Sequence, residues 1–213
     1  RRRILLSDLA GRANVLAKAE GAVSGEGVAA VVARMKELED RGYAFEGAEA
    51  SFHLMQRKVT GAHRPFFALH GFSVAISRRD GDVPPTAEAT IKVEVGGALE
   101  HTAASGDGPV NALDLALKKA LLRFYPSLGQ LELSDYKVRV LSGPETGTAS
   151  LVRVQVETTD GADTWGTVGA HTDIINASYE ALIDAIEYKL LKDGVAPHRA
   201  ERATTGLTKP PTA

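Results

Sequence analysis

Two segments of this 213-residue sequence could bind a small anion, because each leads directly into a predicted helix. The first, SGDGP at 105–109, places a proline at the favoured first helical position and glycines where side chains would obstruct a ligand. The second, GAHTD at 169–173, precedes Ile174 and Ile175. The exposed amides at a helix start carry about half a positive charge, so a carboxylate is the group that they favour.

The side chains beside these two segments would hold the remainder of such a ligand. If an internal twofold brings the segments together, the side chains after each helix start can receive an aliphatic group. The alternative is that both segments are ordinary helix caps without a ligand, and on spacing alone this is the simpler interpretation. The predicted ligand contacts are Gly106, Asp107, Gly108, Pro109, Val110, Ala112, His171, Thr172, Asp173, Ile174, Ile175 and Ala177.

The sequence lacks the common catalytic and metal-binding motifs. It has no GxSxG elbow, no GxxxxGK phosphate loop and no HExxH helix. Its six histidines form no HxH or HxxxH pair, and it has no cysteine for a disulfide, a thiol nucleophile or a thiolate metal site. We therefore expect no catalytic centre, cofactor or metal in this chain.

The composition narrows the partners and the compartment. A net charge of −2 gives no basic surplus for nucleic acid. No apolar stretch approaches the ~20 residues that span a bilayer, and the ILL run at 4–6 is too short for a signal peptide. A cytoplasmic protein without a membrane partner fits these features. The absence of a starting methionine suggests a piece of a longer polypeptide.

Residues 1–62 are predicted to form a small helical linker subdomain. Helices are expected over 7–20, from Gly27 to about Glu39 with Gly42 as the stop, and from Glu46 to Lys58. Short helices of this kind bury little by themselves. We expect them to pack against a part of the protein outside this chain.

Residues 63–193 have the pattern strand, strand, strand, helix, written twice. Alternating apolar and polar residues predict strands around 72–76, 91–95, 99–103, 136–140, 152–156 and 165. Helical patterns cover 109–124 and 174–192. The pattern predicts an α+β fold, an internally duplicated βββα domain with a pseudo-twofold, in which two helices cover antiparallel strands. Residues 194–213 lack periodicity and are predicted to be a flexible tail.

The two copies can be overlaid on short matching runs. ATIKV at 89–93 matches SLVRV at 150–154, and Asn111-Ala112 matches Asn176-Ala177. The offset between the copies then changes by four residues between strand and helix. A longer hairpin in the second copy is expected to absorb this difference.

Several of these runs resemble the C-terminal half of citramalate synthases, in the family of the 2-isopropylmalate synthases. The segment LSDLAGRANV at 6–15 looks like the linker of the same enzymes. The resemblance covers residues 4 to about 192. The other runs that carry it are EATIKV at 88–93, GDGPVNALD at 106–114, LSDYKVRV at 133–140, WGTVG at 165–169 and IINAS at 174–178.

The resemblance implies a homodimeric acyltransferase that condenses acetyl-CoA with a 2-oxo acid, using a divalent metal in an N-terminal barrel. That barrel is not in this chain, so the fragment is not expected to turn over substrate. In such enzymes the linker helices lie over the barrel mouth. The duplicated domain binds the pathway's end product at the dimer interface and mediates feedback.

The end product is isoleucine for citramalate synthases and leucine for 2-isopropylmalate synthases. The family's effector loops match 106–110 and 171–175, the same two helix starts that the spacing singles out. The run AHTD at 170–173 and the tyrosine at 179, where tryptophan is usual, depart from the citramalate pattern. Three alternatives follow from the resemblance: an isoleucine sensor, a leucine sensor, and a purely structural dimerisation domain with no ligand. A further alternative is a free-standing enzyme that shares only the fold of this family.

Overall fold

The computed structural model describes residues 25–78, 85–141 and 150–198. The predicted helix at 7–20 and the tail beyond residue 198 lie outside these ranges. The helices are α1 (Gly25–Asp40), α2 (Glu49–Val59), α3 (Pro109–Leu121) and α4 (Ile174–Lys192), with a 3₁₀ turn at Pro126–Gln130. The strands are β1 (Ala68–Ser77), β2 (Thr86–Val95), β3 (Ala98–Gly106), β4 (Glu132–Leu141), β5 (Leu151–Thr159) and β6 (Thr164–His171).

Two three-stranded antiparallel sheets carry the fold, with orders β1-β2-β3 and β4-β5-β6. Sheet 1 (β1–β3) is followed by α3 and sheet 2 (β4–β6) by α4. Alternate residues of the central strand β2 are buried beneath α3, which is the period of two expected for a half-buried strand. The predicted α+β fold with a duplicated βββα unit is confirmed.

The two copies are related by a nearly constant offset. Ile91 pairs with Thr102 in sheet 1 and Val156 pairs with Thr167 in sheet 2, so both partners lie 65 residues apart. The irregularity in β1 between Leu69 and Gly71 recurs in β4 between Leu133 and Asp135, 64 residues later. The predicted overlay of 89–93 on 150–154 was wrong by four residues. A shift of two or four positions keeps every side chain on the same face of a strand, so alternation alone could not reveal the error.

A matching hydrogen bond fixes the helix to the sheet in both copies. Thr102 Oγ1 donates to the carbonyl oxygen of Ala116 at 2.9 Å, and Thr167 Oγ1 donates to that of Ala181 at 2.8 Å. The main core lies beneath α3 and continues onto one face of α4 through Leu182, Ile186 and Leu190. The two βββα units therefore share one core.

The linker subdomain packs on sheet 2 of the same chain. Val31 and Met35 of α1 and Phe52 of α2 form a cluster with Val168 of β6. Arg153 and Gln155 of β5 donate to backbone carbonyls in the loop between α1 and α2. Within the chain, the outer face of sheet 2 receives α1 and α2, and the contact of these helices with a part outside the chain stays a prediction.

The first residues after α4 also contact the core. Val195 packs against it, and the His198 ring lies 5.7 Å from the Phe124 ring and 5.2 Å from the Tyr125 ring. These contacts hold residues 195–198 beside the end of α3.

Gly166 sets how closely the linker can approach sheet 2. A Cβ at this position would overlap the carbonyl oxygen of Gly47 in the loop before α2. We expect Gly166→Ala to lower the free energy of unfolding by about 1–3 kcal/mol, the range typical of overpacking. Denaturant unfolding measures the effect. Gly71→Ala in β1, where a Cβ meets nothing within 4 Å, is the matched control. Equal stability of the two variants would contradict the close approach.

Candidate functional site

The start of α3 leaves backbone amides open. Its N-cap residue, Gly108, is extended and supplies no side-chain cap. The Asn111 side chain accepts from the amide of Asp107 at 3.2 Å, and the first intrahelical bond runs from the amide of Ala112 to the carbonyl of Gly108. Pro109 has no N–H, so the free donors of this turn belong to Val110 and Asn111.

The start of α4 is closed by its own carboxylate. Asp173 accepts from the amides of Ile175 at 2.6 Å and Asn176 at 3.2 Å. The amide of Asp173 in turn donates to Nδ1 of His171 at 2.9 Å. His171, Thr172, Asp173 and Ile174 are all exposed. The two helix starts, treated as equivalent from the sequence, therefore differ, because in the second copy an aspartate already occupies the place that a ligand's carboxylate would take.

The aliphatic residues beside the two helix starts pack partly against the same core and partly against different clusters. Val110 and Ile175 are half-buried and both pack against the main core, so the first turns of α3 and α4 border the same hydrophobic cluster. Ala112 and Ala177 are fully buried. Ala177 belongs to a separate cluster with Val154 and Val156 of its own sheet. A shared ligand pocket between the two starts stays a prediction.

A cavity of about 290 Å³ lies where the linker meets α4, and the sequence reasoning missed it. Tyr43, Ser51 and Lys58 line it from the linker side, and Glu180, Ile183 and Asp184 line it from α4. Because its walls come from segments more than 100 residues apart, no local pattern could have revealed it.

A row of acidic side chains on α4 faces this junction. Glu180, Asp184 and Glu187 follow one another at helical spacing on one face. Glu180 Oε2 accepts from the hydroxyl of Tyr43 at 2.6 Å and from the amide of Ala170 at 3.1 Å. Asp184 pairs with Lys58 at 3.2 Å. The row thus connects the linker, β6 and α4.

Glu187 is the most deeply buried member of the row, at 4 % exposed. Among the described residues its Oε2 has no hydrogen-bond partner, and it lies 3.5 Å from Nε2 of His63 and 4.0 Å from Nζ of Lys58. Burial raises the pKa of Glu187 to about 7; Lys58 opposes this shift, and the neighbouring Asp184 adds to it. Burial also raises the pKa of Asp184 and lowers that of His63. The junction therefore holds acidic and basic groups together in a poorly solvated space.

The described ranges contain no group of three or more His, Cys, Asp or Glu side chains that could hold a metal ion. No helix within those ranges is long and apolar enough to cross a membrane.

Comparison with known proteins gives two kinds of match. The model of the LeuA allosteric (dimerisation) domain family matches residues 46–190. The chain is 53 % identical over 199 residues to an (R)-citramalate synthase of Geobacter sulfurreducens and 45 % identical over 198 residues to one of Aquifex aeolicus. It covers 37 % of each of these relatives, and they cover 89 % and 91 % of it.

A 2-isopropylmalate synthase of Aquifex aeolicus is 32 % identical over 170 residues, which are 79 % of this chain and 30 % of that protein. The chain thus spans little more than a third of the length of the curated relatives that it matches.

The raised pKa of Glu187 makes stability depend on pH. The charged carboxylate opposes folding, so its cost is absent below the ordinary pKa of 4.5, grows as the pH rises towards 7 and is constant above that. Glu187→Gln removes this dependence. Denaturant unfolding at pH 5 and pH 7.5 should show the variant gaining about 2 kcal/mol on the native chain between the two pH values. Glu88→Gln, on the exposed face of β2, should show no such gain. A pH-independent difference for Glu187→Gln would contradict this account.

Proposed function

Because this chain belongs to the LeuA allosteric (dimerisation) domain family, we propose that it is the regulatory and dimerisation part of an (R)-citramalate synthase. The identities of 53 % and 45 % to proteins of that name support the proposal. The whole protein would condense acetyl-CoA with a 2-oxo acid in a metal-dependent N-terminal barrel, in the cytoplasm. This part would carry no catalytic residue and would sense the end product, isoleucine. The 2-isopropylmalate synthase relative makes leucine the alternative effector.

The open start of α3 is the observation that carries the sensing proposal. An amino acid has a carboxylate, and the amides of Val110 and Asn111 are donors that neither the helix nor a side-chain cap uses. Val110 and Ile175 beside it are half-buried aliphatic side chains. At the start of α4, Asp173 would help to orient the loop and would not receive the carboxylate, since like charges repel.

Glu180 connects the loop at the start of α4 to the linker. It accepts from the amide of Ala170, which directly precedes the loop of His171 to Asp173, and from Tyr43 of the linker. Movement of this loop on ligand binding would change both bonds at once. A coupling of ~1–3 kcal/mol between the two arrangements is enough for regulation.

The sensing proposal is tested by giving α3 the cap that α4 already has. Gly108 corresponds to Asp173, is extended, and has nothing within 4 Å of a Cβ, so Gly108→Asp fits the fold. The new carboxylate should occupy the open amides and repel the ligand. Calorimetry with isoleucine, leucine and valine should show binding to the native chain and to Gly108→Ala, and at least a tenfold loss in Gly108→Asp.

Which amino acid binds distinguishes the isoleucine sensor from the leucine sensor. If isoleucine, leucine and valine all give no heat of binding at millimolar concentration, the sensing proposal is contradicted. The domain would then serve dimerisation alone, and its two loops would be helix caps without a ligand.

The outer strands offer a surface for the proposed homodimer. Val138 and Val140 of β4 lie on the same face of sheet 2 as α4. Their paired partners, Val154 and Val152 of β5, pack in the cluster that contains Ala177 of α4. Val138 and Val140 are nonetheless 43 % and 55 % exposed. Two exposed aliphatic side chains on one face of an outer strand favour a protein interface there.

The dimer proposal is tested by charging this surface. Val140→Glu should convert a dimer to a monomer in sedimentation experiments, since a buried unpaired carboxylate at an interface is costly. Arg139→Glu, on the opposite face of the same strand, is the matched control and should remain dimeric. A dimer that tolerates Val140→Glu, or a native chain that is monomeric at all concentrations, would contradict this interface.

A further inference from the structure

The cavity at the linker junction has the chemistry of a ligand site that is separate from both helix starts. It encloses about 290 Å³ between α1, α2 and α4, close to the lower limit for small-molecule pockets. Its position makes any ligand contact the linker and α4 at the same time. Such a ligand would hold the two parts together.

The charges around the cavity favour a cation. Glu180 and Asp184 line it from α4, and Glu187 follows them on the same helix. Lys58 pairs with Asp184 at 3.2 Å, and His63 lies 3.5 Å from Glu187. Arg34 at the rim already pairs with Glu37 at 2.5 Å. Within the described residues, both hydrogen bonds to Glu180 end on Oε2, so Oε1 is available to a donor. Among the described residues, Glu180 therefore forms no ion pair, and its carboxylate is open to a cation.

The remaining walls suit an aliphatic body and an ammonium group. Met55, Val168 and Ile183 provide an apolar surface, and the rings of Phe45 and Tyr179 line the same space. Ammonium groups bind between carboxylates and aromatic faces, where the attraction is strongest after desolvation. A carboxylate is disfavoured beside Glu180 and Asp184, and the two basic side chains of the lining already have acidic partners, Arg34 with Glu37 and Lys58 with Asp184.

We propose that the junction cavity binds a small aliphatic ammonium ligand, with the ammonium group between Glu180 and Asp184 and the aliphatic body against Met55 and Ile183. Binding would neutralise part of the buried acidic row and fasten the linker to α4. The ammonium group can belong to a free amine or to the amino end of an α-amino acid, and the probes below distinguish these two ligands.

Calorimetry on the whole chain with probes of equal shape tests the proposal. The native chain should bind 3-methylbutylamine at least about tenfold more tightly than 3-methylbutanol, and should not bind 3-methylbutanoate at this site. The amine has no carboxylate and cannot use the start of α3, so this result is independent of the proposed amino-acid sensing. An amine that binds no better than the alcohol overturns the proposal, whatever leucine does.

Two variants locate the site. Glu180→Gln removes the charge, and Val59→Phe narrows the cavity from its edge; each should weaken amine binding at least about tenfold. Glu88→Gln should leave it unchanged, and circular dichroism checks that all variants fold. Amine binding that survives both cavity variants overturns the proposal.

Leucine identifies the source of the ligand. Leucine binding that is lost in Glu180→Gln and retained in Gly108→Asp supports the cavity and makes an α-amino acid its ligand. If leucine binding is lost in Gly108→Asp and retained in Glu180→Gln, leucine binds at the start of α3. The cavity proposal then depends on the amine result: an amine that binds more tightly than the alcohol makes a free amine the ligand, and an amine that binds no better overturns the proposal.

Discussion

The burial of α4 on several sides is the constraint on which the rest of the structure depends. One face of this helix packs on β5 and β6, another joins the core beneath α3, and the face that carries Glu180, Asp184 and Glu187 meets the linker. A helix covered so widely cannot keep its charges in water. The carboxylate of Asp184 therefore pairs with Lys58, and the pKa of Glu187 is raised, which favours its neutral form.

The duplicated unit is symmetric in its backbone and asymmetric in what it contacts. The pairing, the strand irregularities and the threonine bonds repeat at an offset of 64 or 65 residues. The outer face of sheet 2 receives the linker, whereas residues on the outer face of sheet 1, such as Glu88 and Lys92, are exposed. Glycines at 166 and 169 allow the close approaches that sheet 2 needs. The two copies therefore share one backbone arrangement, and they differ because the linker covers the outer face of sheet 2.

The two helix starts are a second asymmetry between the copies. In the first copy a glycine leaves the amides open, and in the second an aspartate closes them. The second start is tied through Ala170 and Glu180 to the linker, so it is the one placed to respond to movement. Under the proposed function, the first loop would receive the ligand and the second would transmit its presence.

The sequence by itself determined the elements, the duplication and the position of the two helix starts, because these depend on local periodicity and on single residues such as Gly108 and Pro109. The structure showed that Asp173 closes the second start. The sequence did not determine the overlay of the copies, since a period of two is unchanged by a shift of two or four residues. It also gave no sign of the junction: Glu180, Asp184 and Glu187 at helical spacing look like a solvated face. Only the tertiary structure placed Tyr43, Lys58 and His63 against that face, because packing between segments far apart in the chain decides which charges lose their water.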